Sequence, residues 1–276
     1  MSRTVAVVIG VGGMGQAIAR RVGTGTRLVL ADFDRRTLDT VAGELSGEGY
    51  EVTPQQVDVS SGESVAGLAR LAASLGEVRY VVHTAGLSPV QAPVAAILAV
   101  DLLGVALVLE EFGQVVASGG AGVVIASMAG HGYPPFASEQ ERELANTPAG
   151  SLLALPVADP ANFPVAGAAY AFAKRANLVR VQAASVTWGA RGARINTVSP
   201  GVIATPMGRE ELDGEHGARM RAMIDGSNAR REGAPADIAA AVEFLLSPAA
   251  SFVSGSDLLV DGGVTAALRT GHLAGI

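Results

Sequence analysis

Short, β-branched apolar runs alternate with helical patterns through the first half of the chain, and no other feature constrains the fold as much. TVAVVIG is followed by GQAIARRV, RLVLA by DRRTLDTVAGEL, YEVTPQQVDV by SVAGLARLAASL, and YVVHTAG by a helix around Asp101 to Val116, ahead of GVVIAS. That rhythm is the one repeated βαβ units produce. Runs such as AVVIG and VVIAS lack inward/outward alternation, which suits strands of a parallel sheet buried on both faces. The expected fold class is therefore α/β, a Rossmann-type doubly wound parallel sheet of about seven strands in three α/β/α layers.

Composition supports a large core and removes several function classes. Of 276 residues, 49% are hydrophobic and 17% charged, so the chain can bury a sizeable interior. The net charge is −6 and no run of Lys or Arg exceeds two residues, so a nucleic-acid footprint is missing. With no cysteine there are no disulfides or thiolates. His83, His131, His216 and His272 are scattered without ligand spacing, so no metal site is expected. No targeting segment is visible and no apolar run reaches membrane-spanning length; the expectation is a cytoplasmic protein with no membrane partner.

After Ser127 the rhythm breaks. The stretch 131–165 is rich in Pro, Ala and polar residues, with Pro148, Pro156, Pro160 and Pro164 punctuating it. Ser138 and Glu141 stand in capping-box spacing and predict a short helix through Ala145. Loops this long in a compact domain are commonly lids or binding loops. Regular structure resumes with a helix around Tyr170 to Thr187, the strand ARINTVS, a loop from PGVIATPMG, the helix PADIAAAVEFLL and the strand SDLLVDGG. No repeat or linker divides these pieces, so 1–276 reads as a single dinucleotide-binding domain carrying an insertion at 131–165.

Two constellations carry chemistry. Gly10, Gly12, Gly13, Met14 and Gly15 form G-x-G-x-x-G between a strand and a helix, where glycines let backbone N–H groups and a helix N-terminus approach a pyrophosphate. Asp32 closes the second strand 22 residues after Gly10, placed to accept hydrogen bonds from ribose hydroxyls. Its carboxylate would repel a 2′-phosphate and argues for NAD over NADP; Arg35 and Arg36 argue more weakly the other way. Tyr170 and Lys174 share one helix face at i and i+4, and a nearby ammonium favours the phenolate, as a general acid/base requires.

Taken in order, these pieces resemble the short-chain dehydrogenase/reductase family over nearly the whole chain. The matching segments also include Asp58-Val59, HTAG at 83–86, SMAG at 127–130, RINTVSPGVIATPM at 194–207 and VSGSDLLVDGG. The resemblance implies Tyr170 as catalytic acid/base, Ser127 on the substrate oxygen, and Lys174 lowering the Tyr pKa and binding the nicotinamide ribose. It places Asp58 and Val59 at the adenine, Ala85 and Gly86 along the cofactor, and Pro200, Gly201, Ile203 and Thr205 around the carboxamide. The implied reaction is hydride transfer between NAD and a secondary alcohol or ketone, in a homodimer or homotetramer. The alternatives are a catalytically silent dinucleotide sensor and an NADP-dependent carbonyl reductase. An enoyl-reductase relative would space its Tyr and Lys more widely.

The chain departs from the family pattern in four places. The glycine turn is one residue shorter than T-G-x-x-x-G-x-G. His83-Thr84 replaces Asn-Asn, with Thr84 read as a structural substitute and His83 as a strand-end residue. Asp101 replaces the helix Asn that supports a proton relay; it either reroutes that relay or caps a kink. Ser127 and Tyr170 lie 43 residues apart, far more than in most relatives. Part of the insertion is expected to wall the substrate site, with Tyr133, Phe136, Leu152, Leu153 and Phe163 as candidates, each of which could equally pack the insertion onto the body.

Overall fold

The structure is a computed structural model that describes residues 3–215 and 217–273. His216 and the end of the C-terminal tail, through Ile276, lie outside the described residues.

Seven strands form one parallel sheet in the order β3-β2-β1-β4-β5-β6-β7. They are β1 (Thr4–Ile9), β2 (Arg27–Asp32), β3 (Glu51–Gln56), β4 (Glu77–His83), β5 (Val116–Ile125), β6 (Arg194–Pro200) and β7 (Asp257–Val260). Strand order reverses between β1 and β4, and the crevice beyond the carboxyl ends there is where such sheets bind ligands. Register brings Ile9 opposite both Ala31 and His83, so the ends of three strands stop at one level.

The first helices are α1 (Gly13–Val22), α2 (Arg35–Gly47) and α3 (Gly62–Leu75). Next comes α4 (Val94–Ile97), which runs through a π-helical turn (Leu98–Leu103) into α5 (Gly104–Val115). Then follow α6 (Met128–Gly132), α7 (Ser138–Asn146), α8 (Ala149–Leu152), α9 (Ala166–Gly189), α10 (Pro206–Asp213), α11 (Gly217–Gly226), α12 (Pro235–Leu246) and α13 (Val264–Arg269). The helices α10 and α11 occupy a region where the sequence pattern predicts a loop.

Alternate residues of a strand enter different cores. Val5, Val7 and Ile9 pack with Leu68, Phe112 and Trp188 on the α3, α5, α9 side. Ala6 and Val8 pack with Ile18, Leu38 and Val242 on the α1, α2, α12 side. Both faces are dry, which is why these strands read as unbroken apolar runs.

The insertion builds a third core. Leu144, Ala149, Leu152 and Phe163 are buried against Ile97, Leu102, Phe172 and Ala176. The capping reading is off by one position: α7 starts at Ser138, and Gln140 Oε1 accepts from Ala137 N at 3.4 Å. Leu153 points outward, 36% exposed. Arg180 of α9 ties the segment down by donating to the carbonyls of Leu144 (2.8 Å) and Thr147 (3.0 Å).

Candidate active site

The glycine turn is dictated by space. Gly10 has φ +89°, and a Cβ on Gly15 would sit 1.9 Å from the Gly10 carbonyl oxygen. A Cβ on Gly12 meets nothing within 4 Å, so that edge of the turn is open. Thr84 Oγ1 donates to the Gly10 carbonyl at 2.7 Å, the tying role expected of it. No side chain caps α1, which leaves its first-turn N–H groups available to an anion. Asp32 accepts from Val11 N (2.8 Å) and Asp34 N (2.9 Å), so its carboxylate is fixed at the turn's flank.

Around this turn runs a cleft of about 670 Å3. It is lined by Gly10, Gly12, Gly13, Met14, Gly15, Asp32, Asp58, Val59, Ala85, Gly86 and Thr205, all predicted cofactor residues. Pro206 and Met207, which end the 194–207 motif, also line it, as do Phe33, Asp34, Leu87 and Val100, to which no motif points. Asp58 shapes the far wall by accepting from Ser60 N and Ser60 Oγ at 2.9 and 2.6 Å. Thr205 caps α10 through Gly208 N at 3.0 Å, and a Cβ on Gly13 would touch its methyl at 3.0 Å, so this loop closes the cleft from above. Gly201 and Ile203 line a separate hollow of about 190 Å3 behind that loop, and the structure does not bring them or Pro200 to the cleft wall. An open glycine edge, an uncapped helix start and a carboxylate beside them together fit a dinucleotide.

Ser127, Tyr170 and Lys174 converge next to this cleft. Ser127 caps α6, accepting from Ala129 N at 3.1 Å, and its hydroxyl lies near enough to Tyr170 to favour the phenolate slightly. One turn further along α9, the Lys174 ammonium lies 5.3 Å from the centre of the Tyr170 ring. It donates to the Ile125 carbonyl at 3.4 Å and pairs with Asp101 at 3.2 Å. A Cβ on Gly130 would fall 2.8 Å from the Lys174 carbonyl carbon; this close approach of α6 to α9 sets the Ser–Tyr geometry.

Asp101 is the departure with electrostatic weight. It sits in the π-helical turn, and its backbone carbonyl accepts from Asn177 Nδ2 at 2.8 Å. Its carboxylate faces Lys174 and takes the Leu87 N–H on both oxygens at 3.2 Å. A Cβ on Gly86 would be 2.5 Å from Asp101 Oδ1, so glycine there makes room for the pair. Burial pushes the Asp101 carboxyl above the usual carboxylate range, with Lys174 and Leu87 N opposing. Burial also works against the Lys174 charge, but Asp101 and then Tyr170 outweigh it and hold the ammonium above its ordinary value.

The same balance acts on the phenol. Burial raises Tyr170, Lys174 lowers it, and Asp101 raises it again; a smaller lowering by Ser127 and raising by Glu211 follow, for a net upward shift. Lysine proximity alone implies the opposite. Glu211 of α10 carries no sequence signal: it accepts from the buried Ser88 Oγ at 2.5 Å, and burial raises its carboxyl. Asn177 also escapes the motif reading, although its i+3 spacing from Lys174 marks it as sharing that helix face. His83 lies at the end of β4, fully buried, with neither ring nitrogen partnered. Burial, then Lys174, pushes it down to about 3.

Of the predicted substrate contacts, Tyr133, Phe136 and Phe163 gather on Phe172, with ring centres 5.7, 5.6 and 5.0 Å from it. Phe163 is buried, while Tyr133 and Phe136 keep part of their surface open. Arg35 is engaged by Asp39 at 2.8 Å, and Arg36 acts on Asp34. Among the described residues no group of His, Asp and Glu could hold a metal ion, and no helix is long and apolar enough to cross a membrane.

Residues 4–138 match the family described as short chain dehydrogenase, and residues 136–265 the one described as enoyl-(acyl carrier protein) reductase. A short-chain dehydrogenase/reductase of Alternaria brassicicola is 40% identical over 269 residues, 97% of this chain and 98% of that one. D-threitol dehydrogenase of Mycolicibacterium smegmatis is 30% identical over 95% of this chain and 92% of its own. A crystal structure of a Brucella melitensis short-chain dehydrogenase/reductase (glucose/ribitol dehydrogenase) superposes with TM-score 0.75 at 28% identity, covering 95% and 96% of the two chains. The seven-stranded parallel sheet agrees with these likenesses: the chain belongs to the short-chain dehydrogenase/reductase family, oxidoreductases that use NAD(P).

Proposed function

We propose that this protein is an NAD-dependent oxidoreductase that interconverts a secondary alcohol and a ketone, with Tyr170 as the general acid/base. The observation that carries this reading is the convergence of Ser127, Tyr170 and Lys174 beside the glycine-lined cleft, where a Cβ on the cleft residue Gly86 would lie 3.3 Å from Lys174 Nζ. A bound nicotinamide dinucleotide supplies or accepts the hydride. Ser127 holds the substrate oxygen by a hydrogen bond. Tyr170 exchanges the proton on that oxygen, a contribution worth about 10²–10⁴-fold in rate. Lys174, anchored by Asp101 and the Ile125 carbonyl, orients the ribose side of the site. Gly10, Gly12, Gly13, Met14 and Gly15 would hold the dinucleotide, with Asp32 toward its adenosine ribose and Asp58 and Val59 toward its adenine. Ala85, Gly86 and Thr205 would border it, while Pro200, Gly201 and Ile203, expected around the carboxamide, stand back from the cleft wall.

NAD is favoured over NADP because Asp32 and Asp34 both line the cleft where a 2′-phosphate would lie, and Arg35 is drawn away to Asp39. The Tyr–Lys spacing of four supports alcohol/ketone chemistry over enoyl reduction. D-threitol dehydrogenase among the relatives supports a small-molecule alcohol. We read the chain as one domain acting in the cytoplasm as a homodimer or homotetramer, with the 131–165 insertion bordering the substrate site through Tyr133, Phe136 and Phe163.

Calorimetric titration with NAD(H) and NADP(H), followed by an alcohol and ketone panel on wild type and Tyr170→Phe, tests this. The expected result is binding of NAD(H) over NADP(H), with turnover lost in Tyr170→Phe. Preference for NADP(H) overturns the cofactor assignment, and undiminished turnover in Tyr170→Phe overturns the mechanism.

A further inference from the structure

Most buried cations at a catalytic phenol act by their charge, yet the Lys174 ammonium is already engaged. It is 4% exposed and sits 3.2 Å from a carboxylate that is wholly buried. That carboxylate is fixed by the Leu87 N–H on both oxygens and has room only because residue 86 lacks a side chain. The π-helical turn that aims it is itself held by Asn177 on the backbone carbonyl. Such a pair is nearly neutral seen from outside, and its field on a third group is that of a dipole.

We propose that Asp101 is a positioning residue that clamps the Lys174 ammonium in a buried ion pair and so weakens its pull on the Tyr170 proton. The active site is thereby set to protonate a carbonyl oxygen during reduction. The inference rests on the reading of Tyr170 as the acid/base. In the reductive direction the carbonyl carbon receives hydride from a reduced nicotinamide dinucleotide while its oxygen takes the Tyr170 proton. The C=O π bond opens to the alcohol, the dinucleotide leaves oxidised, and the phenolate regains a proton from solvent. Oxidation needs the reverse transfer and so gains from alkaline pH.

Every group facing the phenol is consistent with this. From α9 comes Lys174, whose pull on the phenol proton Asp101 offsets in part. From the π-helical turn comes Asp101, and from helix α10 comes Glu211, held by Ser88; both carboxylates oppose a phenolate. From α6 comes the Ser127 hydroxyl, a dipole. His83 on β4 is neutral, being buried beside Lys174 without a partner. Burial of the phenol raises it more than any of these charges, and Lys174 is the one cation among them that pulls the other way.

The test is an ultraviolet difference titration of the phenolate in the protein without dinucleotide, using Tyr170→Phe to subtract the other three of the four tyrosines. In wild type, Tyr170 ionises above its ordinary value of 10.0. Asp101→Asn keeps the shape and an acceptor for Leu87 N but frees the lysine charge, and ionisation falls by about one pH unit or more. The alkaline limb of ketone reduction and the onset of alcohol oxidation move down with it. Wild-type Tyr170 ionising below 10, or an Asp101→Asn titration that overlays wild type, overturns the proposal. If Asp101→Asn does not fold, the wild-type titration alone decides. A panel without turnover would count against the proposed function but leave this titration valid. Turnover abolished in Tyr170→Phe together with a failed titration would remove only the Asp101 proposal.

Discussion

Helix α9 buries two cations six residues apart, each with a carboxylate and a carbonyl partner but in different balance. Lys174 is 4% exposed and meets a full negative charge, the Asp101 carboxylate. Arg180 is 5% exposed and is held by the carbonyl oxygens of Leu144 and Thr147, with the Glu110 carboxylate at 3.4 Å on its outer side. Around Lys174, charges are arranged so that their fields reach a reacting hydroxyl. Around Arg180, dipoles are arranged so that a stretch of irregular chain has somewhere to donate and accept. Burial of a cation by itself therefore says nothing of its task; the kind of counter-group does. The two neighbourhoods should respond differently to pH and to truncation.

Acid provides the largest contrast. His83 belongs to the Lys174 neighbourhood, and burial, with Lys174 adding to it, holds it down to about 3 from 6.5. The unfolded chain binds a proton on this ring below 6.5, while the folded chain refuses it until about 3. Stability is therefore fully present above 6.5 and falls as pH drops toward 3, by about 5 kcal/mol at ~1.4 kcal/mol per unit. Urea midpoints across that window should show the slope in wild type and lose it in His83→Leu. A slope that survives the substitution would place the acid sensitivity outside the Lys174 neighbourhood.

Truncating the other cation should cost less and leave chemistry alone. Arg180→Met keeps much of the stem but leaves the Leu144 and Thr147 carbonyls short of a donor, a loss of about 3 kcal/mol. The insertion should become the first segment cut by protease, with Tyr170-dependent turnover close to wild type in the surviving protein. Lost turnover at full stability would mean that the insertion acts on the site through Arg180.

The same division separates what the amino-acid sequence makes legible from what it hides. The strands stand out because both faces of each are dry, so Val5 to Ile9 need no alternation. The cleft is legible because glycine is demanded by contact, as at Gly15 against the Gly10 carbonyl, and because Tyr170 and Lys174 share a helix face. What stays hidden depends on distant partners. Nothing local marks Glu211 as the acceptor for Ser88, 123 residues earlier. The net upward push on Tyr170 comes first from its burial, and the part that Asp101 adds depends on a meeting with Lys174 that spacing does not supply. The helices α10 and α11 are masked because Pro200, Gly201 and Pro206 suggest a loop, whereas Pro206 opens a helix whose cap is Thr205. Family likeness fills some of this gap by marking Asp101 as unusual.

The smallest effect divides the insertion itself. Phe163 and Phe136 both lean on Phe172, at 5.0 and 5.6 Å, but Phe163 is 7% exposed while Phe136 keeps an open face. Phe163→Ala should cost about 3 kcal/mol, the loss for emptying a buried aromatic site. Phe136→Ala removes its edge contact with Phe172, its tilted contact with Tyr133 and part of a half-open surface, about 1 kcal/mol. If Phe136 borders the substrate, that loss appears in binding: KM rises about fivefold, kcat holds and the Tm scarcely moves. Should the Tm fall while KM stays fixed, Phe136 packs the insertion against α9 and nothing more. The insertion would then belong wholly to the Arg180 neighbourhood, and substrate selection would have to be sought across the cleft, on the side of α10 where Glu211 sits.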